Sequence, residues 1–177
     1  DEQLCDETTS PAHDFLGTVC QEWESATIPI HDLGIRTVQI RTGLVLGKDD
    51  GVLKQLSPLF RYKLGSAIGS GKQYMPWIHI DDLVHLFMFV LESKLEGVYN
   101  AVAPNPVQQI ELTKLIAKIL QRPLILPNIP EFALRLMLGE MRAIALESQR
   151  VCASKIQDAG FKFNYLELEP ALEDLIA

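Results

Sequence analysis

No apolar run in this sequence is long enough to cross a bilayer. The most apolar stretch, Leu83 to Leu91, is interrupted by His85, whereas a membrane span needs about 20 residues. Positive charge is also scarce, with 16 Lys and Arg against 23 Asp and Glu and a net charge of −7. That balance argues against a protein that tracks a phosphate backbone. Cysteine is rare and odd in number: Cys5, Cys20 and Cys152 are too widely spaced for a disulfide framework or a zinc motif. A reducing, cytoplasmic setting is expected. The first residues, Asp1 to Glu7, are acidic where a signal peptide would be basic, and they show neither a methionine nor a strand pattern. The chain is therefore expected to be the carboxyl-terminal part of a longer protein.

What is present is a core-forming pattern, 47% hydrophobic over 177 residues. The stretch Ile35 to Gly47 reads as a strand running into a glycine-relieved turn. Helical and extended patterns alternate around it. Asp14 is placed to cap a helix over 15–26, with Phe15, Leu16, Val19, Cys20, Trp23 and Ala26 on one face. Pro29 should break or kink the chain before the strand. Further helices are expected over 52–63, 83–93 and around Leu112, Leu115, Ile116, Ile119 and Leu120, then over 130–139, 140–146, 154–159 and 170–177. Gln73–Ile80, Gly97–Val102 and Leu124–Leu126 read as extended. The 83–93 helix is apolar nearly all round, which predicts burial. Alternating strands and helices imply a parallel sheet, and ligands of such sheets gather at the carboxyl ends of the strands. The Arg41–Gly47 turn is thus the first candidate for a site wall.

Two tempting motifs fail their own chemistry. Gly65 to Gly71 is glycine-rich, but a phosphate-binding P-loop needs glycine where Ser66 stands and Ser or Thr where Gln73 stands. His79, Asp81, Asp82 and His85 suggest a metal, yet a capping role for Asp81 or Asp82 explains the carboxylates, and no metal is expected.

Several segments together resemble the atypical extended short-chain dehydrogenase/reductases, in the subgroup similar to nucleoside-diphosphate-sugar epimerases. They are Asp14-Phe15-Leu16 with Cys20, Trp23 and Glu24; Arg41 to Gly47; Gly69 to Gln73; Trp77 to Asp82; Gly97 to Asn100; Ala103 to Val107; Leu136 to Glu140; and Gly160 to Phe163. The resemblance implies an α/β architecture, namely the carboxyl-terminal half of a Rossmann-like, doubly wound parallel sheet domain plus a small, mainly helical lobe. Residues 1–104 would be the remainder of the NAD(P)-binding domain, with 47–76 a substrate-side insertion. Residues 105–177 would form a substrate-side lobe, with the subgroup's small end domain at about 127–177. It also implies NAD or NADP as cofactor, Arg41, Thr42, Gly43, Leu44 and Val45 near the nicotinamide end, and Gln73, Trp77 and Arg142 on the side of a small-molecule substrate. A homodimer through the 15–26 helix is a further implication.

The departures from that pattern bear on activity. Family members use a Tyr-x-x-x-Lys pair, the tyrosine exchanging a proton and the lysine lowering its pKa. No tyrosine here has a lysine four residues later. If Glu24 is the glutamate that usually follows the pair, Cys20 stands in the lysine's place and Leu16 in the tyrosine's. Met75 stands where many nucleotide-sugar epimerases have a diphosphate-gripping arginine. The implied function is an NAD(P)-binding, epimerase-like oxidoreductase relative of unassigned reaction. The alternative is a nucleotide-sensing or scaffold protein without catalysis on the same fold.

Overall fold

The computed structural model describes residues 3–48, 50–139 and 146–177. The strand expected over 35–46 is two strands. β2 (Val38–Thr42) pairs in parallel with β6 (Gly97–Ala101), and β3 (Leu44–Leu46) pairs in parallel with β5 (Trp77–His79). The change of partner occurs at Gly43, whose N–H still donates to Ala101 O at 3.1 Å while Leu44 N–H donates to Pro76 O at 2.7 Å. A Cβ at Gly43 would lie 2.7 Å from Pro76 O and 2.9 Å from Val102 Cγ1, so only glycine lets the two strand pairs approach there.

Two further short pairings lie among the described residues. β1 (Leu4–Cys5) runs parallel to β8 (Arg150–Val151), and β4 (Tyr74–Met75) runs antiparallel to β7 (Val107–Gln108). The first residues, which show no strand pattern in the sequence, therefore contain a strand. Leu124–Leu126 forms none; the nearest ladder contact is the isolated bridge between Ile68 and Ile129.

Helix α1 (Phe15–Ser25) begins as expected, with Asp14 Oδ1 accepting from Gly17 N–H at 2.7 Å. Pro29 does not break the chain. It occupies the first turn of a short helix, α2 (Ile28–Asp32), where its missing N–H costs nothing. α3 (Gly51–Arg61) and α5 (Gln109–Ile119) pack with the last helix, α8 (Leu168–Ile176), around Leu46, Leu53, Phe60, Trp77, Leu112, Ile116 and Leu172. α4 (Ile80–Glu92) and α7 (Ser154–Asp158) close a second cluster of Ile78, Leu86, Val90, Tyr99, Ala101, Ile156, Phe161 and Phe163. Trp77 and Ile78 are neighbours in β5 yet enter different clusters, because successive side chains leave opposite faces of a strand. Both clusters draw residues from before and after position 104. α6 (Glu131–Leu138) starts at Pro130 and ends at Gly139. The helix expected over 140–146 lies, except for Leu146, outside the described residues.

Two helices depart from expectation in their surfaces. α4 buries Asp82, Leu86 and Val90, but Val84, Phe87, Met88 and Leu91 are exposed, so an all-round apolar composition leaves an uncovered face. α1 buries no residue, and Phe15, Leu16 and Trp23 are exposed. Arg36 finishes α4 from a distance. Its guanidinium donates to Val90 O and Leu95 O, each at 3.1 Å, and to Leu91 O at 3.3 Å, binding two carbonyls of the last turn of α4 and one just past it.

Candidate functional site

The carboxyl ends of β2 and β6 carry the residues the sequence singled out. Thr42 is exposed at the end of β2, and Leu44 and Val45 are half-buried just beyond it. Arg41 is engaged on two sides. Its Nε and Nη2 donate to Glu24 Oε1 and Oε2 at 2.6 and 2.8 Å, a two-pronged pair, and its Nη1 donates to Glu7 O at 3.2 Å. Hydrogen bonding from Arg41 holds the Glu24 carboxyl below its ordinary value, and Glu24 in turn holds the guanidinium above its own. The charge of Glu7 acts on Arg41 in the same direction. Glu24 sits in the last turn of α1, and its carbonyl accepts from Gln39 Nε2 at 2.8 Å, so α1 is docked on β2 mainly by polar bonds. Cys20, expected on one face of α1 with Phe15, Leu16 and Trp23, is exposed like them.

The segment after β1 crosses the same edge. Glu7 Oε1 accepts from Asn100 N–H at 2.8 Å, standing where a neighbouring strand would bond β6, and Asn100 Nδ2 donates to Cys152 O at 3.2 Å. Nothing in local sequence pattern announced Glu7 or Asn100, because both act through partners about ninety and fifty positions away in the chain.

The residues expected on the substrate side are placed differently from one another. Trp77 is 1% exposed and its indole Nε1 donates to Asn105 O at 3.2 Å, so its side chain belongs to the core of this chain. Gln73 is also buried. Its Nε2 donates to Ile68 O at 3.1 Å and its carbonyl accepts from Gln109 N–H at 3.0 Å, which braces the glycine-rich 65–71 loop. Arg142 lies outside the described residues.

The histidine–carboxylate cluster differs from its expected capping scheme. His79, not Asp81 or Asp82, caps α4: its Nδ1 accepts from Asp81 N–H at 3.1 Å. Asp82 is fully buried and accepts from the N–H groups of Asn164 and Tyr165 at 2.8 and 2.9 Å, tying the 161–165 loop to the helix start. His79 stacks on Tyr165 with ring centres 3.8 Å apart, and its Nε2 lies 3.4 Å from Asp174 Oδ2. Burial, then the carboxylates of Asp174 and Asp81, push the Tyr165 hydroxyl up. His79, Asp81 and Asp174 could offer three ligand atoms within 4.8 Å of one another. The cap already occupies Nδ1 of this ring, and the buried Nε2 makes no hydrogen bond among the described residues.

Parallel strand pairs joined at a glycine-pinned change of partner, helices packed on them and a helical end region define a Rossmann-like fold of the nucleotide-sugar epimerase type. Comparison with known proteins agrees. Residues 129–175 match the model of a family described as Domain of unknown function (DUF1731). The chloroplastic epimerase family protein SDR39U1 homolog of Arabidopsis thaliana is 39% identical over 172 residues, covering 97% of this chain and 49% of that protein. The crystal structure of human epimerase family protein SDR39U1 (isoform 2) with NADPH matches with TM-score 0.89 and 32% identity, over 98% of this chain and 59% of that one. A nucleoside-diphosphate sugar epimerase from Corynebacterium glutamicum matches with TM-score 0.79 and 31% identity, over 99% of this chain and 34% of that one. The chain is similar to these epimerase family proteins over nearly all of its length. It spans about half the length of the curated relatives it matches. No described helix is long and apolar enough to cross a membrane.

Proposed function

We propose that the chain forms one part of an NAD(P)-binding, epimerase-like oxidoreductase, in which the Arg41–Val45 turn walls the nicotinamide end of the cofactor. One observation carries the reading: the turn lies at the carboxyl ends of β2 and β6, in a fold shared with a relative solved with NADPH. The residues present suit that end of the group. Thr42 is exposed with its hydroxyl available, and Gly43 keeps the backbone close to the neighbouring strand pair. A bound nicotinamide would supply hydride transfer. The chain's own part is to orient the ring and to carry Cys20 on the helix that Arg41 holds through Glu24. The substrate is a small molecule, and the exposed Phe15, Leu16 and Trp23 of α1 suit a helix that docks on further protein, a second copy included.

A second reading, a nucleotide sensor without catalysis, is favoured by Leu16 and Cys20, which stand where the family's proton-exchanging tyrosine and its lysine are expected. Fluorescence titration of the full-length protein with NADH and NADPH tests the first reading, which fails if neither binds. Hydride transfer from the bound cofactor to any carbonyl in a substrate screen would defeat the second.

A further inference from the structure

Arg41 belongs to the turn assigned to the cofactor, and an arginine in such a place invites the role of phosphate contact. Its bonding argues otherwise. Both oxygens of Glu24 accept from it at 2.6 and 2.8 Å, so its charge is matched by a carboxylate held in the ionised form. Its remaining terminal nitrogen bonds to a backbone carbonyl, Glu7 O. A guanidinium so engaged has little net charge to offer a ligand, and freeing it would leave Glu24 unpaired in a half-buried place.

What Arg41 joins is more informative than what it could touch. Glu24 is in the last turn of α1, the helix that carries Cys20. Glu7 follows β1, and its carboxylate caps the open edge of β6 at Asn100. Arg41 itself stands in register with Asn100 across the β2–β6 pair. One side chain therefore joins the helix, the segment and the strand that bound the carboxyl end of the sheet.

We propose that Arg41 is a positioning residue. Through Glu24 and Glu7 it sets α1 and the 4–10 segment against the cofactor pocket, and it makes no contact with the cofactor itself. The inference rests on the NAD(P)-binding reading above.

A double-mutant cycle on the full-length protein tests it, with NADPH as the probe and binding measured well below the melting temperature. Arg41→Gln and Glu24→Gln should each weaken NADPH, by about 3- to 30-fold. The double variant should be no worse than either single one, and the salt dependence of Kd should match the wild type. The reversed pair, Glu24→Arg with Arg41→Glu, should recover part of the loss. If single variants fail to fold, Arg41→Lys and Glu24→Asp give the same comparison, since each keeps charge and loses the two-pronged fit. Three results overturn the inference. One is a weakened Arg41→Gln with a flatter salt dependence beside an unaffected Glu24→Gln, the signature of a direct phosphate contact. Another is losses that add independently. The third is a lowered melting temperature with unchanged Kd, which would make the pair a structural tie only. A wild type that binds neither cofactor overturns the NAD(P)-binding reading itself, and this inference falls with it.

Discussion

Asp82 offers a quantitative test of how the end of the chain is held. Its carboxylate is fully buried, and its two oxygens accept from the backbone N–H groups of Asn164 and Tyr165 at 2.8 and 2.9 Å. It also sits in the first turn of α4, where the helix dipole favours negative charge. A hydrogen bond to a charged group contributes about 1.5–3 kcal/mol. Asp82→Ala removes both bonds and leaves two part-buried donors unpaired, for a loss of about 3–5 kcal/mol. Asp82→Asn keeps the shape and one acceptor but turns an amide NH2 toward the other N–H, for a loss of about 1.5–3 kcal/mol. In a protein of this size each kcal/mol moves the melting temperature by about 2–4 °C. The asparagine variant should therefore melt about 3–12 °C below the wild type, and the alanine variant lower still. Hydrogen exchange locates the effect, because the amides of Asn164 and Tyr165 should lose protection before those of β2 and β6. An asparagine variant melting within about 1 °C of the wild type, with those two amides still protected, would refute the reasoning.

Three further outcomes follow from the geometry. Gly43→Ala places a methyl 2.7 Å from Pro76 O and should cost about 1–3 kcal/mol, read as a lowered urea midpoint with an unchanged slope. Arg36→Ala frees the carbonyls of Val90, Leu91 and Leu95 and should cost about 1–2 kcal/mol, with Arg36→Lys recovering only part; faster exchange confined to the last turn of α4 would mark the cause. The Glu24–Arg41 pair should show its pH dependence on the acid side. Because Arg41 lowers the folded-state value of Glu24 below its ordinary 4.5, the contribution is present above that pH and lost as pH falls through the lowered value. With both side chains partly exposed it amounts to about 1 kcal/mol at most, so the melting difference between the wild type and Glu24→Gln should shrink on acidification below pH 4.5.

Local pattern in the sequence determined most of the secondary structure and, through family resemblance, the fold. The Asp14 cap, the α5 stripe and the parallel strands at 38–46 and 97–101 are legible because periodicity, capping and β-branched runs are properties of neighbouring residues. The two-residue strands β1 and β8 were not legible, since two residues carry no period and their pairing spans nearly the whole chain. Pro29 looked like a break because a proline inside a helix and one in its first turn are the same letter. Only the tertiary structure decided what the polar residues do. His79 took the capping role expected of Asp81 or Asp82, and Asp82 instead holds loop 161–165, which reaches back to α4. Trp77 went to the core because α3, α5 and α8 converge on it. The Arg41–Gly47 stretch, expected as a turn, runs from β2 into β3 with a change of partner at Gly43, and its arginine proved to be spoken for. Glu24 lies on one side of it and Glu7 on the other, and partners brought together by folding leave no trace in local spacing.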